Sequence, residues 1–191
     1  MAANHSLFII DFIEKNKKLP DGFNQWDELD TFGNSVAHWV AKYKIEYLPD
    51  DFEYWDLRNF GGVTVAHWAA TNNVLSADFK YWRLEDYCGK SVAHYAARKS
   101  LLPDGFCLWD ICDKEGNCIS HVISEYCPDF LIRNNFTQWE LKNGRNESVF
   151  EIAIKHSPDI FKDSFPCWDM VIDDDFNTCR AIWENNACVF C

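Results

Sequence analysis

Two kinds of apolar cluster alternate along this chain, separated by polar residues. The first kind pairs a Phe with a Trp three residues later: Phe23/Trp26, Phe52/Trp55, Phe79/Trp82, Phe106/Trp109, Phe136/Trp139 and Phe165/Trp168. That spacing puts both rings on one face of a short helix. The second kind is built from small apolar residues, as in Val36-Ala37-His38-Trp39-Val40-Ala41 and Val65-Ala66-His67-Trp68-Ala69-Ala70. Other residues hold fixed positions between the clusters. Asp30, Asn59, Asp86, Asp113 and Asn143 each follow a Trp by four residues. Gly33, Gly62, Gly89 and Gly116 follow by seven, and His38, His67, His94 and His121 by twelve. Successive Trp intervals are 29, 27, 27, 30 and 29 residues. Self-similarity in register at such a period is the signature of a repeat architecture.

The pattern predicts helix, turn, helix and loop in each unit. Leu48-Pro49-Asp50-Asp51 has the composition of a helix start, because Pro suits the first helical position and acidic side chains favour the positive end of the helix dipole. The Asx residue and the Gly then predict a turn. Ser35, Thr64 or Ser91 supplies the N-cap of the second helix. One such unit has too little apolar surface to fold alone, so stacked neighbours must complete the core. The expected organisation is a single all-α domain over 1–191. A cap helix over 1–18 precedes six repeats at roughly 19–47, 48–74, 75–101, 102–130, 131–160 and 161–191. The fifth unit has drifted, with Asn146 at the Gly position and Glu151 at the His position. The sixth has Asp175, Arg180 and Trp183 where earlier units have Gly, His and Ala. Terminal repeats are expected to be atypical because one face meets water.

Composition narrows the function classes. Hydrophobic residues make up 48% of the 191, enough for a folded core. The run Leu7-Phe8-Ile9-Ile10 is interrupted by Asp11 and is too short for a signal core or a membrane span. Net charge is −12, divided as −3 over residues 1–100 and −9 over 101–191. This balance disfavours direct contact with nucleic-acid phosphates or anionic membranes and leaves room for a partner with a basic surface. The nine Cys are an odd number without a repeating spacing, which predicts reduced thiols in a cytoplasmic protein.

The segment Gly62-Val63-Thr64-Val65-Ala66-His67-Trp68-Ala69-Ala70 resembles the opening of an ankyrin repeat, Gly-x-Thr-Pro-Leu-His-x-Ala-Ala. The match recurs at Gly33–His38 and Gly89–His94, and Asn59 and Asp86 resemble the Asp that opens the ankyrin turn. The units are shorter than the ankyrin length of about 33 residues, and Val-Ala replaces Pro-Leu. The resemblance implies a divergent, shortened ankyrin-like solenoid that binds proteins through its concave face and turn tips. It implies no catalytic residue.

Candidate chemistry follows from these positions. Four repeated His suggest a metal, but equivalent positions on stacked helices lie about 8–10 Å apart, against zinc–nitrogen bonds of about 2 Å. Capping of each unit, or bonds between neighbouring turns, explains the His better. Cys188-Val189-Phe190-Cys191 is a CxxC pair without the second pair that a zinc site uses. Phosphate loops, nucleophile elbows and zinc-protease motifs are missing from the sequence, which predicts no enzyme, no cofactor and no metal. The turn aromatics Phe32, Phe60 and Tyr87 have no evident core duty and suit an interface. Trp39, Trp68 and Tyr95 follow the His and either pack between units or face a partner from the inner helices. These six are the candidate partner-binding residues. The function expected is a protein-binding repeat module. The alternative is an acidic inhibitor or decoy that blocks a basic site on a target enzyme.

Overall fold

The computed structural model describes residues 19, 22–157 and 159. The expected cap helix, the sixth repeat and the Cys188/Cys191 pair lie outside these described residues. The described residues fall into two compact units, one ending at Phe106 and the other beginning at Cys107.

The first unit contains α1 (Val36–Tyr43), α2 (Val65–Asn72) and α3 (Val92–Arg98). Each begins at the predicted cap: Ser35, Thr64 or Ser91. The Val-Ala pairs and the Ala residues one turn later are buried in all three helices. Side chains this small let α1 pack on α2, and α2 on α3, with backbones close together. In the second unit α4 (Ile119–Tyr126) packs on α6 (Val149–His156), and the short α5 (Asp129–Arg133) lies between them in sequence. Among the described residues no β-strand forms. Five isolated antiparallel bridges recur at one register: Leu29/Ser35, Arg58/Thr64, Glu85/Ser91, Cys112/Cys118 and Lys142/Ser148. Each closes a short finger just before a helix.

The expected helix over Leu-Pro-Asp-x-Phe-x-x-Trp is corrected by the structure. In the second repeat it shrinks to one 3-10 turn, Tyr54–Asp56; in the third the chain turns at Phe79–Trp82, and in the fourth and fifth it is irregular from Phe106 and Phe136 up to a turn that begins at Trp109 and Trp139. The Pro-Asp start is itself a turn, closed by Phe52 N–H to Pro49 O at 3.0 Å and by Phe106 N–H to Pro103 O at 3.2 Å. Gly105, at φ 79°, enters the left-handed region that a right-handed helix excludes.

Aromatic packing replaces the missing helix. In the first unit edge-to-face contacts run Phe23–Trp26–Phe52–Trp55–Phe79–Trp82–Phe106, with centroids 4.8–5.7 Å apart. The second unit continues the motif through Trp109–Phe136–Trp139, at 5.7 and 5.4 Å. Such pairs contribute about 0.5–1.5 kcal/mol each beyond area burial. Trp26, Trp82 and Trp139 are buried as expected of core residues, whereas Trp55 and Trp109 are half-buried.

Candidate partner-binding surface

Each finger is held by its Asx residue. Asp30 Oδ1 accepts from Phe32 N at 2.8 Å and Asn34 N at 2.9 Å. Asn59 does the same for Gly61 and Val63, and Asp86 for Cys88 and Lys90. Asp113 and Asn143 repeat the arrangement in the second unit. The drifted fifth turn keeps the geometry because Asn146 takes the left-handed conformation at φ 63°. The Asx side chains also reach across repeats: Asn59 Nδ2 donates to Asn34 Oδ1 at 2.9 Å, and Asn143 Nδ2 to Asn117 Oδ1 at 3.0 Å.

The His residues link one finger to the next. His38 Nδ1 accepts from Ser35 N–H at 3.1 Å, so the ring proton sits on Nε2, which donates to Val63 O at 3.1 Å. His67 joins Thr64 to Lys90 O, and His121 joins Cys118 to Leu141 O, in the same way. Burial pushes the pKa of all three down, and for His67 it falls to about 4 despite the Lys90 bond and the nearby Asp86. The rings are therefore neutral struts at neutral pH. Glu151 takes over the capping half of this task, accepting from Ser148 N–H at 2.6 Å, but a carboxylate has no N–H to pass on. Among the described residues no three His, Cys, Asp or Glu side chains gather as a metal site.

The struts and Asx bonds hold the finger tips in place. Phe32, Phe60 and Tyr87 sit there with 74%, 72% and 64% of their surface exposed. Phe60 and Tyr87 lie flat on the preceding finger. A Cβ built on Gly33 would come 2.4 Å from the Phe60 ring, and one on Gly62 would come 2.3 Å from Tyr87. The two glycines thus serve both the left-handed turn and the close approach of the next ring. Arg58 Nη1 donates to Gly62 O at 2.8 Å and Glu85 O at 2.7 Å, and its guanidinium lies 5.8 Å from the Tyr87 centroid. In the second unit Gly144 takes the aromatic's place, and its N–H donates to Glu115 O at 3.1 Å.

Trp39, Trp68 and Tyr95 are half-buried and occupy the helices behind the tips. They do pack between repeats: Trp39 meets Trp68 edge to face at 5.1 Å, Trp68 meets His38 at 5.5 Å, and Tyr95 meets His67 at 4.7 Å. Trp39 Nε1–H donates to Asp30 Oδ2 at 3.0 Å, and Tyr95 O–H to Asp86 Oδ2 at 2.9 Å. Burial pushes both carboxyls up, but the hydrogen bonds they accept outweigh it, and both pKa values end below the ordinary carboxylate value. Two further residues belong to this region. Tyr43, 55% exposed, stacks on Trp39 at 6.0 Å, and Lys42 Nζ lies over the rings of both and of Trp68. Their signal in the sequence was the three- and four-residue spacing from Trp39 on one helix.

The expectation of reduced thiols is corrected at one place: Cys112 and Cys118 are joined by a disulfide. They occupy the bridge register that pairs Arg58 with Thr64 elsewhere, so the finger brings their side chains together. Cys88 and Cys107 are exposed and lie outside disulfides.

No protein-family model and no curated protein matches this chain. Among solved structures it is similar to the ankyrin repeat domain of Bcl-3, described as a unique member of the IkappaB protein family. The two share 17% identity with a TM-score of 0.52, over 80% of this chain and 73% of that one. Among the described residues no helix is long and apolar enough to cross a membrane. Fingers, His struts and paired small-residue helices, together with this likeness, make the fold an all-α helical repeat of the ankyrin type in divergent, shortened form.

Proposed function

We propose that this protein is a binding module for another protein. It engages its partner through Phe32, Phe60 and Tyr87 at the finger tips and through Trp39, Trp68 and Tyr95 on the inner helices. The ankyrin repeat fold is generally a protein-binding module. The observation that carries the reading is the row of exposed aromatic rings on fingers whose backbone is already pinned. Rings held rigidly before contact lose little entropy on binding, and aromatic residues dominate interface hot spots. In this reading residues 1–191 act as one domain in the cytoplasm, without catalysis, metal or cofactor, and nucleic acid and membrane are not direct partners.

The test is capture of the partner by the native chain and by a Phe32→Ala/Phe60→Ala/Tyr87→Ala variant whose helical circular dichroism is unchanged. The variant should bind at least about thirtyfold more weakly, the loss expected from a single hot-spot ring. Equal affinity in a folded variant would remove the finger tips from the interface. A second reading is an inhibitor or decoy for a basic site on a target enzyme. It is favoured by the −9 balance over residues 101–191.

A further inference from the structure

We propose that Trp39, Tyr43 and Trp68 form a cation seat that takes a lysine side chain of the partner, and that Lys42 fills it in the free protein. The proposal rests on the protein-binding reading and names the chemistry that one part of the surface recognises. Three rings lie within cation–π reach of one ammonium: Lys42 Nζ is 5.4 Å from the Trp39 centroid, 4.7 Å from Tyr43 and 5.2 Å from Trp68. Trp39 and Tyr43 are nearly parallel at 10° with centroids 6.0 Å apart, and Trp68 stands at 86° to Trp39, so the rings form one aromatic patch that Nζ covers from a single side. An ammonium is drawn to ring faces by their quadrupole, most strongly to Trp. The Trp39 indole is fixed by its bond to Asp30 Oδ2.

Lys42 behaves as a stand-in ligand. Among the described residues no carboxylate pairs with it, and Glu46, four residues on, pairs with Lys44 at 3.7 Å instead. Besides the negative end of the helix dipole, the rings are the partners that the ammonium meets among the described residues. Tyr43 is more than half exposed, and Lys42, Trp39 and Trp68 are half-buried, so an incoming side chain can reach the rings as Lys42 swings out to water. Charge complementarity identifies the occupant. Residues 1–100, which carry the seat, have a net charge of −3, and an acidic surface favours approach of a basic partner. A neutral apolar side chain would gain nothing from the ring quadrupoles.

The experiment titrates the whole chain with N-acetyl-lysine methylamide and follows the indole N–H resonances of Trp39 and Trp68. The norleucine counterpart, which has no ammonium, serves as control. In Lys42→Ala both resonances should shift saturably with the lysine compound, at about a tenfold lower concentration than in the native chain. Norleucine should give no saturable shift, and Tyr43→Ala should weaken the response to lysine. The proposal is overturned if Lys42→Ala, folded by circular dichroism, shows no saturable shift, or if norleucine shifts the resonances equally. The probe needs no partner, so failure here leaves the protein-binding reading intact. Loss of the finger-tip interface would equally leave the seat intact.

Discussion

His67 joins three facts that belong to single residues: its ring is fully buried, both nitrogens are bonded, and burial holds its pKa near 4. In the unfolded chain the same ring titrates near 6.5. Between these values the unfolded state binds the extra proton, so stability is complete above about pH 6.5 and falls as pH drops toward 4. For His67 alone the loss is of order 3 kcal/mol at the acid end. His38 and His121 shift in the same direction. His67→Gln keeps an acceptor and a donor but cannot titrate. Urea unfolding of native and variant should therefore show a stability gap at pH 7.5 that closes toward pH 4.5. A gap independent of pH would mean that the imidazole is not held neutral. Glu151 shows the limits of the position: a carboxylate can cap its own helix but carries nothing forward to the next finger.

At the scale of the element, the finger is the unit that repeats most faithfully. Its bridge, its Asx bonds and its left-handed residue survive in the fifth repeat even where Gly and His do not. Neighbouring fingers are coupled through the contact of Tyr87 with Gly62. Gly62→Ala should cost about 1–2 kcal/mol for the left-handed backbone and more for the clash with the ring. In a Tyr87→Ala background only the backbone part should remain. A double-mutant cycle by chemical denaturation should give a non-zero coupling, whereas strict additivity would show that Tyr87 gives way freely. The Cys112–Cys118 link belongs to the same element. Tryptic cleavage after Lys114, without reduction, should leave two fragments held together in the mass spectrum, and reduction should separate them. Fragments that separate without reductant would show the finger closed by its hydrogen bonds alone. Closing so short a loop stabilises the fold by about 2 kcal/mol in the chain-entropy account.

Whole-molecule charge separates the two readings of function. An interface built on aromatic rings keeps most of its affinity as salt rises. A decoy relying on the acidic second half loses it, because exposed charges beyond about 8–10 Å are screened at physiological ionic strength. Partner affinity measured at 50 and 500 mM salt should change less than about tenfold for the aromatic interface. A much steeper fall would favour the decoy. The aromatic ladder matters at this scale too. In repeats of 27–30 residues, Phe and Trp rings stand where the ankyrin repeat has its second helix, and they meet the rings of the next repeat.

The sequence by itself determined the repeat, its register, the N-caps, the turns and the small-residue helices. The repeat and its register are visible as recurrence at 27–30 residues, and the caps, turns and helices depend on neighbours within a dozen residues, where propensity and local hydrogen bonding dominate. It also named Phe32, Phe60 and Tyr87, because large aromatic residues in polar turns have no local purpose. Only the tertiary structure decided the rest. The Phe-x-x-Trp spacing of three fitted a helix, yet the rings interlock between repeats, and that packing outweighed a marginal local preference. The Cys112–Cys118 partnership and the seat around Lys42 depend on which side chains a finger or a helix pair brings face to face. Such contacts are set by packing across 20 or more residues in one case, and in the other by the pleat of a single bridge.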